Sequence, residues 1–248
     1  MTEKAAMETL DAQEAQGSTA PAGRDEAAHA NESGVAASRI GAFCAALGSS
    51  APSPGGGGAC ALAGALGAHL GMMVANLTCG KERYRAVEDE VRALRAQAGF
   101  LGESLLALAD EDARAFAPLA RAYKIPKDDP ARSDVMQAAL ETDCEPAIAT
   151  LEASGDALDV LERLAAIGSR MAVSDVGAGA ALCRAALEGA YLNVLINTKP
   201  MTNAQRAGAL KARAQDLMAR HLPRAQALYD SVCDRLVKPN RNEENVRP

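Results

Sequence analysis

The stretch that decides the fold is residues 52–84, PSPGGGGACALAGALGAHLGMMVANLTCGKERY. Two prolines lead into four consecutive glycines, and an uncharged run of small and apolar residues then lasts to Cys79. This run contains no proline and few β-branched residues, so it predicts a buried helix with Gly80 as its stop signal. The glycines let the backbone approach a partner closely, and the free N–H groups at the start of such a helix can receive a polar or anionic ligand.

Small residues recur within the run at helical spacing, and they allow a second interpretation. Gly64, Gly67, Ala68 and Gly71 would form a flat face against which another backbone can pack. The sequence alone leaves both interpretations open, a packing device and a ligand site. A nucleotide-binding loop is excluded, because the pattern G-x-x-x-x-G-K-[ST] is absent and prolines stand where a strand should precede the glycines. The run is long enough to cross a membrane, but it is rich in alanine and glycine and includes polar His69, so we expect no membrane contact.

The composition of the 248-residue chain favours closely packed helices. Hydrophobic residues make up 48% of the chain but aromatic residues only 3%, so Ala, Leu, Val and Met must build the core. The formal net charge of −6 argues against binding to a nucleic-acid backbone. Six scattered cysteines without a C-x-x-C pair, and a start without an apolar signal segment, predict a cytoplasmic protein with reduced thiols.

The pattern along the chain predicts an all-α helical bundle of about five or six helices, with a disordered N-terminal tail. Residues 1–36 hold hardly any large apolar side chain and are predicted to be disordered, which leaves residues 37–240 as the folded domain. No segment shows the alternation of a strand. We expect one helix to break or bend at Pro146, and Ser174 with Asp175 to cap a later helix that is again rich in small residues.

A long helix is predicted over residues 83–123, where apolar side chains follow alternating steps of three and four. Asp112 interrupts this seam at a position where every neighbour in the register is apolar or aromatic. A carboxylate there must be paired, hydrogen-bonded or shifted in pKa. Asp112 is therefore either a structural hydrogen-bond acceptor or the functional carboxylate of the chain. Pro118 is expected to kink or end this helix nearby.

Two asparagines and a basic turn complete the set of candidate functional residues. Asn193 and Asn197 are four residues apart near the end of the second small-residue helix, so they share one face and need hydrogen-bond partners. They either bind a heterocycle with an amide-like edge or tie helices together. Lys81 and Arg83 form a short basic turn, and no cluster of ligand residues has metal-site spacing, so no metal is predicted. The set suits an acid–base enzyme with one carboxylate and a flat anionic substrate, or a helical binding protein without chemistry.

Three stretches taken together resemble one known family. They are SSAPSPGGGGACALAGALGAHLGMMVANLTCGKERY at 49–84, ADEDARAFAPLARAYKIPK at 109–127 and SDVGAGAALCRAALEGAYLNVLIN at 174–197. In order and spacing they resemble the cyclodeaminase/cyclohydrolase family of folate enzymes. This family comprises the C-terminal domain of formiminotransferase-cyclodeaminase and the stand-alone methenyltetrahydrofolate cyclohydrolases. The resemblance extends over residues 40–236 and implies an all-helical fold that is usually a homodimer.

The resemblance also implies a set of site residues. The family's acidic residue corresponds to Asp112, the residue that interrupts the seam. The folate pocket would be lined or supported by Pro54, Gly55, Gly56, Gly57, Asn76, Lys81, Asp175, Gly177, Asn193 and, less directly, Asn197. The substrate would be a tetrahydrofolate derivative whose glutamate tail meets Lys81 and Arg83, and no prosthetic group is implied. Cys60 and Cys79 stand where the family commonly has other small or apolar residues, which we expect to be tolerated.

The implied reaction is hydrolysis of 5,10-methenyltetrahydrofolate to 10-formyltetrahydrofolate, with Asp112 as general base and stabiliser of the cation. The alternative is release of ammonia from formiminotetrahydrofolate, in which the same carboxyl would act as an acid. The absence of a fused formiminotransferase sequence, and the form of SSAPSPGGGGA and AYKIPK, favour hydrolysis. A third alternative is a non-catalytic folate-binding protein, which the intact Asp112 and glycines disfavour.

Overall fold

The computed structural model describes residues 39–237, which form helices joined by turns. Six α-helices lie in this part of the chain: α1 (Ile40–Leu47), α2 (Gly56–Asn76), α3 (Glu88–Ala122), α4 (Arg132–Ile167), α5 (Val173–Thr198) and α6 (Ala204–Val237). Two 3-10 helices, Glu82–Val87 and Arg170–Ala172, lead into α3 and α5. The residues described contain no β-strand, so the predicted all-α class is confirmed. The predicted disorder of residues 1–36 concerns a segment outside the described residues.

Helix α2 lies at the centre of the bundle, where it packs along α3, α4 and α5. Its small-residue face brings backbones together, since a Cβ atom on Gly67 would lie 2.9 Å from the carbonyl oxygen of Gly179 on α5. A Cβ atom on Gly64 would lie 2.8 Å from the hydroxyl oxygen of Ser154 on α4. Both separations are too short for a real side chain, so the packing interpretation of these glycines is confirmed.

Large aliphatic side chains fill the space around α2. The helix α4 contributes the largest share of fully buried leucines: Leu140, Leu151, Leu158, Leu161 and Leu164. Leu105 and Leu119 of the predicted α3 seam are also buried, and each such side chain contributes about 2 kcal/mol by leaving water. Asp112 lies midway between these two leucines, seven residues from each. The seam therefore fixes the turn of α3 that carries this carboxylate.

Prolines interrupt the helices less than the sequence predicts. The helix α4 runs unbroken from Arg132 to Ile167, so the prediction of a break at Pro146 is wrong. Pro146 is itself buried, and the apolar contacts on both sides of it outweigh the one backbone hydrogen bond that a proline removes. The helix α3 ends at Ala122, four residues beyond Pro118, as predicted, whereas α6 continues through Pro223.

Two predicted helix starts are also wrong. Ser174 and Asp175 do not cap α5, because the N-cap residue is Ala172 and both polar residues lie in the first turn. The 3-10 helix before α5 delivers the chain in a nearly helical conformation, so no side-chain cap is needed. Residues 83–87 belong to the other 3-10 helix rather than to α3, which begins at Glu88.

By length and composition alone, two helical segments could cross a membrane. They are Gly56–Asn76 and Arg170–Thr198, with 50% and 39% of the apolar window buried inside the protein. The core helix of a soluble protein meets the same criterion, and these two segments pack against each other at the centre of the bundle. The criterion is therefore weak support for a membrane span.

Candidate functional site at the start of helix α2

The four glycines form the beginning of α2 rather than a separate loop. Gly55 is extended and precedes the helix, whereas Gly56, Gly57 and Gly58 make its first turn. The N–H group of Gly58 donates a hydrogen bond to Oδ2 of Asp112 on α3, at 2.9 Å. The positive end of the α2 dipole therefore faces this carboxylate, as it would face a bound anion.

Gly57 is the glycine that this contact requires. A Cβ atom at Gly57 would lie 1.9 Å from Oδ1 of Asp112, so no other residue fits while the carboxylate is in place. At Gly56 a Cβ atom would meet nothing closer than Oδ1 of Asn193, at 4.0 Å. At Gly55 it would meet nothing within 4 Å. The close approach of the helix start to Asp112 therefore depends on one position of the four.

Asp112 is half-buried, and its surroundings favour the neutral form more than water does. Burial raises the pKa of the Asp112 carboxyl above its ordinary value, and the hydrogen bond from Gly58 opposes part of this rise. Burial and the negative charge of Asp112 also raise the pKa of the thiol of Cys60, which lies near it on α2. A raised pKa makes a carboxylate a stronger base than an ordinary aspartate.

The two predicted asparagines of α5 contact different helices. Asn193 faces the first turn of α2, as its Oδ1 atom beside Gly56 indicates. Asn197 lies one turn further along α5 and is buried, with its Nδ2 donating a 2.8 Å hydrogen bond to Oδ2 of Asp143 on α4. Of the two roles that the sequence left open for Asn197, this bond supports the tie between helices.

Sequence reasoning missed Asp143, a buried carboxylate close enough to Asp112 to be affected by its charge. Burial raises the pKa of its carboxyl to about 6, with the hydrogen bond from Asn197 lowering it and the charge of Asp112 raising it. A signal was available, because Asp143 shares a helical stripe with apolar Leu140 and Ala147, three residues before and four after it. The pattern that singles out Asp112 in α3 also singles out Asp143 in α4. Helices α2, α3, α4 and α5 thus each bring a polar group to one end of the bundle.

Pro54 lies at the start of α2, where a Cβ atom on Gly58 would lie 3.8 Å from its Cβ. Four other predicted residues lie at the opposite end of α2. Asn76 is exposed on the last turn, eighteen residues from Gly58 and therefore about 27 Å away along the helix. Lys81 is exposed just beyond it. Asp175 and Gly177 lie in the first turns of α5, and Gly177 is buried against α6, where a Cβ atom would lie 2.9 Å from Val232. A single copy of the chain does not bring these four residues to Asp112.

A basic cleft occupies this opposite end. Its volume is about 940 Å³, and three arginines from different elements line it, Arg83, Arg170 and Arg235. Tyr84 lies under the guanidinium of Arg83, with 5.6 Å from the guanidinium carbon to the ring centre. The cleft is large enough for a small molecule and its charge suits an anion. Between residues 39 and 237, no group of three potential ligands is arranged to hold a metal ion.

Comparisons with known proteins show what this chain is similar to. The family model described as Formiminotransferase-cyclodeaminase matches residues 39–216. A methenyltetrahydrofolate cyclohydrolase of Methylorubrum extorquens is 33% identical over 194 residues, which cover 77% of this chain and 93% of that protein. A formimidoyltransferase-cyclodeaminase of Gallus gallus is 31% identical over 199 residues, 79% of this chain but only 36% of that longer protein.

A solved structure extends the similarity to the fold. The crystal structure of a formiminotetrahydrofolate cyclodeaminase from Thermotoga maritima superposes with a TM-score of 0.74 at 26% identity. The superposition covers 82% of this chain and 98% of that one. Family model, relatives and structure agree with one another, and the chain belongs to the formiminotransferase-cyclodeaminase family.

Proposed function

We propose that the chain hydrolyses 5,10-methenyltetrahydrofolate to 10-formyltetrahydrofolate, with the Asp112 carboxylate as general base. The observation that carries this proposal is the carboxylate itself, fixed by the Gly58 N–H group where α2 begins. Its Oδ2 atom is held by this bond, while Oδ1 accepts no hydrogen bond from the described part of the chain. The similarity to the Methylorubrum extorquens cyclohydrolase, over nearly all of that protein, supports the same reaction.

The chemistry of the substrate fits this carboxylate. The bridging carbon of the methenyl group lies between N5 and N10 in a cation, and a nearby negative charge stabilises it. Asp112 takes a proton from water as the water oxygen bonds to that carbon. The bond from the carbon to N5 then breaks as N5 takes up a proton and the added hydroxyl loses its own, and the formyl group remains on N10. The overall reaction consumes one water and releases one proton, so no redox partner or prosthetic group is required.

The homodimer is part of this proposal. One side of α2 carries only uncharged residues and faces away from its helix neighbours: Ala59, Leu62, Ala63, Leu66, Leu70, Met73 and Leu77. Leu66, Met73 and Leu77 are 47%, 38% and 43% exposed. A continuous apolar stripe of this kind suits a self-complementary contact between two copies related by a two-fold axis.

Such a contact would also bring together predicted site residues that lie far apart within one copy. An antiparallel pairing of two α2 helices, centred between Leu66 and Leu70, sets residue 58 of one copy opposite residue 78 of the other. The partner subunit's Asn76 and the partner subunit's Lys81 then approach Gly58 and Asp112. This arrangement would let a folate place its reactive ring beside Asp112 and its acidic tail beside the basic end of the other copy. We propose that the four predicted residues at the far end of α2 serve the site of the other copy in this way. They are Asn76, Lys81, Asp175 and Gly177.

Substitution of Leu66 tests the dimer. Leu66→Lys places a charge in the middle of the stripe and should convert the protein to a monomer, with substrate binding weakened because Lys81 no longer reaches the site. Val135→Lys is the matched control, since Val135 is 44% exposed but lies on α4. Size-exclusion chromatography with light scattering measures the mass of each variant in solution. A Leu66→Lys protein that stays dimeric would contradict the α2 contact.

Release of ammonia from formiminotetrahydrofolate is the second candidate reaction. The Thermotoga maritima cyclodeaminase shares its fold with this chain over nearly the whole of its own length, which favours this alternative. The raised pKa of Asp112 would let this carboxyl hold a proton for departing ammonia. Both reactions use folate in one-carbon metabolism, and we propose a cytoplasmic location for either.

The test of the proposed function follows the absorbance of the methenyl group with purified protein, at a pH where spontaneous hydrolysis is slow. Catalytic decay with formation of 10-formyltetrahydrofolate is the expected result. Release of ammonia from formiminotetrahydrofolate, without that decay, would replace the hydrolase with the deaminase. An absorbance change that stops at one equivalent of folate per site would contradict both and identify a binding protein.

A further inference from the structure

The Asp143 side chain is only 8% exposed, yet it is incompletely bonded. Its Oδ2 atom accepts the hydrogen bond from Asn197, while its Oδ1 atom is buried without any hydrogen-bond partner in the described part of the chain. Buried carboxylate oxygens rarely lack a hydrogen-bond partner, because the free energy lost on dehydration exceeds the free energy that most other contacts contribute. An asparagine would accept the same bond from Asn197 without bringing a charge. The bond alone therefore does not explain an aspartate at this position.

The neighbourhood of Asp143 connects it to the candidate site. Asn197, its partner, lies one helical turn from Asn193, which faces the first turn of α2. Asp112, on α3, is near enough for its charge to raise the pKa of the Asp143 carboxyl. Two carboxyls thus lie at the end of the bundle where α2 begins. Asn197 is bonded to one of them, Asp143, and shares a face of α5 with Asn193.

No positive charge of the described residues is bonded to Asp143. Arg206 of α6 is bonded through its guanidinium to Glu141, at 2.9 Å. Cys144 is buried beside Asp143, and burial followed by the charge of Asp143 raises the pKa of its thiol to about 12, so it stays neutral. Glu145, on the same helix, is exposed to solvent. Among the described residues, the Asn197 amide is therefore the one group bonded to the Asp143 carboxylate.

We propose that Asp143 is a positioning residue of the hydrolase, one that holds the Asn197 carboxamide in place and supplies a second negative charge that attracts a cationic folate. This inference rests on the proposed function, because the methenyl substrate is a cation whereas its formyl product is not. Ionised Asp143 should therefore strengthen the binding of substrate in preference to product. Asp112 remains the residue that exchanges a proton with water.

The test compares Asp143→Asn with the wild-type chain between pH 5 and 8. Asparagine keeps the volume and the acceptor for Asn197 but cannot ionise. In the wild type, kcat/KM should rise with pH through an inflection near 6, the pKa of Asp143. In the variant this inflection should disappear, and KM at neutral pH should rise about tenfold with a smaller change in kcat. Glu145→Gln removes a solvent-exposed charge from the same helix and should leave the inflection in place.

A second variant checks the role of the carboxamide. Asn197→Ala removes the donor that holds Asp143, and the double variant with Asp143→Asn should lose no more activity than the worse single variant, because both act through one contact. Independent, additive losses would contradict the proposal. So would an Asp143→Asn protein that keeps the wild-type KM and inflection, or one whose melting temperature and kcat fall while its pH profile stays unchanged. A wild-type chain that does not hydrolyse the substrate would overturn the proposed function instead, and equilibrium binding of the methenyl compound to wild type and Asp143→Asn would then still test the charge.

Discussion

The two ends of α2 differ in almost every property that matters for chemistry. At its start, glycines bring the backbone against the Asp112 carboxylate, and a second carboxyl, Asp143, lies buried nearby. At its far end, Lys81 is exposed and three arginines line an open cleft. We propose that one end exchanges protons and attracts a cation, and that the other end attracts an anion.

In the proposed function, one helix separates two tasks by about 27 Å. Small residues between the two ends serve packing, as the contact between Gly67 and Gly179 shows. We therefore expect changes at the start of α2 to reduce the rate of reaction. Changes at the far end should weaken binding instead. Three substitutions can break or sharpen that contrast.

Gly57→Ala should have the largest effect of the three. Its new Cβ atom would lie 1.9 Å from Oδ1 of Asp112, so the carboxylate must move out of place. Misplacement by about 1 Å can cost on the order of 100-fold in rate, and we expect kcat to fall by about that factor. Gly56→Ala is the matched comparison, because the nearest atom to its Cβ would be 4.0 Å away. Steady-state kinetics that show equal losses in the two variants would refute the geometric explanation.

Asp143→Asn should change the pH dependence of stability. The folded protein holds the proton of Asp143 up to about pH 6, whereas the unfolded chain releases it near the ordinary value of 3.8. Stability from this group is therefore present at low pH and is lost as the pH rises through that window. Between pH 4.5 and 7.5, the free energy of unfolding of the variant should rise by about 2 kcal/mol relative to that of the wild type. Urea unfolding at both pH values measures this gain, and Glu145→Gln should not show it.

Lys81→Ala should have the smallest effect. Lys81 is exposed, and an exposed charge that meets a carboxylate tail contributes about 1 kcal/mol or less. We expect KM to rise by about two- to fivefold, with kcat unchanged and the difference reduced at high salt. Kinetics at low and high ionic strength measure both. A fall in kcat without a change in KM would place the proton chemistry at this end of the helix and reverse the comparison.

The helical architecture could be predicted from the sequence because apolar periodicity and small residues are local signals. The seam in α3 identified Asp112 as the carboxylate that departs from its surroundings, and its bond to Gly58 accounts for it. The continuity of α4 through Pro146 could not be predicted, because it depends on contacts from other helices. The start of α5 at Val173 likewise depends on the 3-10 turn that precedes it.

The division of the site between the two ends of α2 could not be predicted from the sequence, for a different reason. Motif positions predict which residues a family uses, but not how far apart a long helix holds them within one copy. Asn76 and Gly57 belong to one motif and lie at opposite ends of α2. Asp143 lies outside the three stretches that resemble the family, so motif position does not point to it, although its stripe in α4 carries the same signal as Asp112.

The measurement that tests the central claim most directly is the decay of the methenyl chromophore with wild type and Asp112→Asn side by side. Asparagine keeps an acceptor for the Gly58 N–H group, so the fold and the melting temperature should be retained. Glu111→Gln removes the neighbouring, exposed carboxylate and is the control. We expect rapid catalytic decay in wild type and control, and a loss of about 10²- to 10⁴-fold in Asp112→Asn. A folded Asp112→Asn protein that turns over at the wild-type rate would contradict the role of this carboxylate.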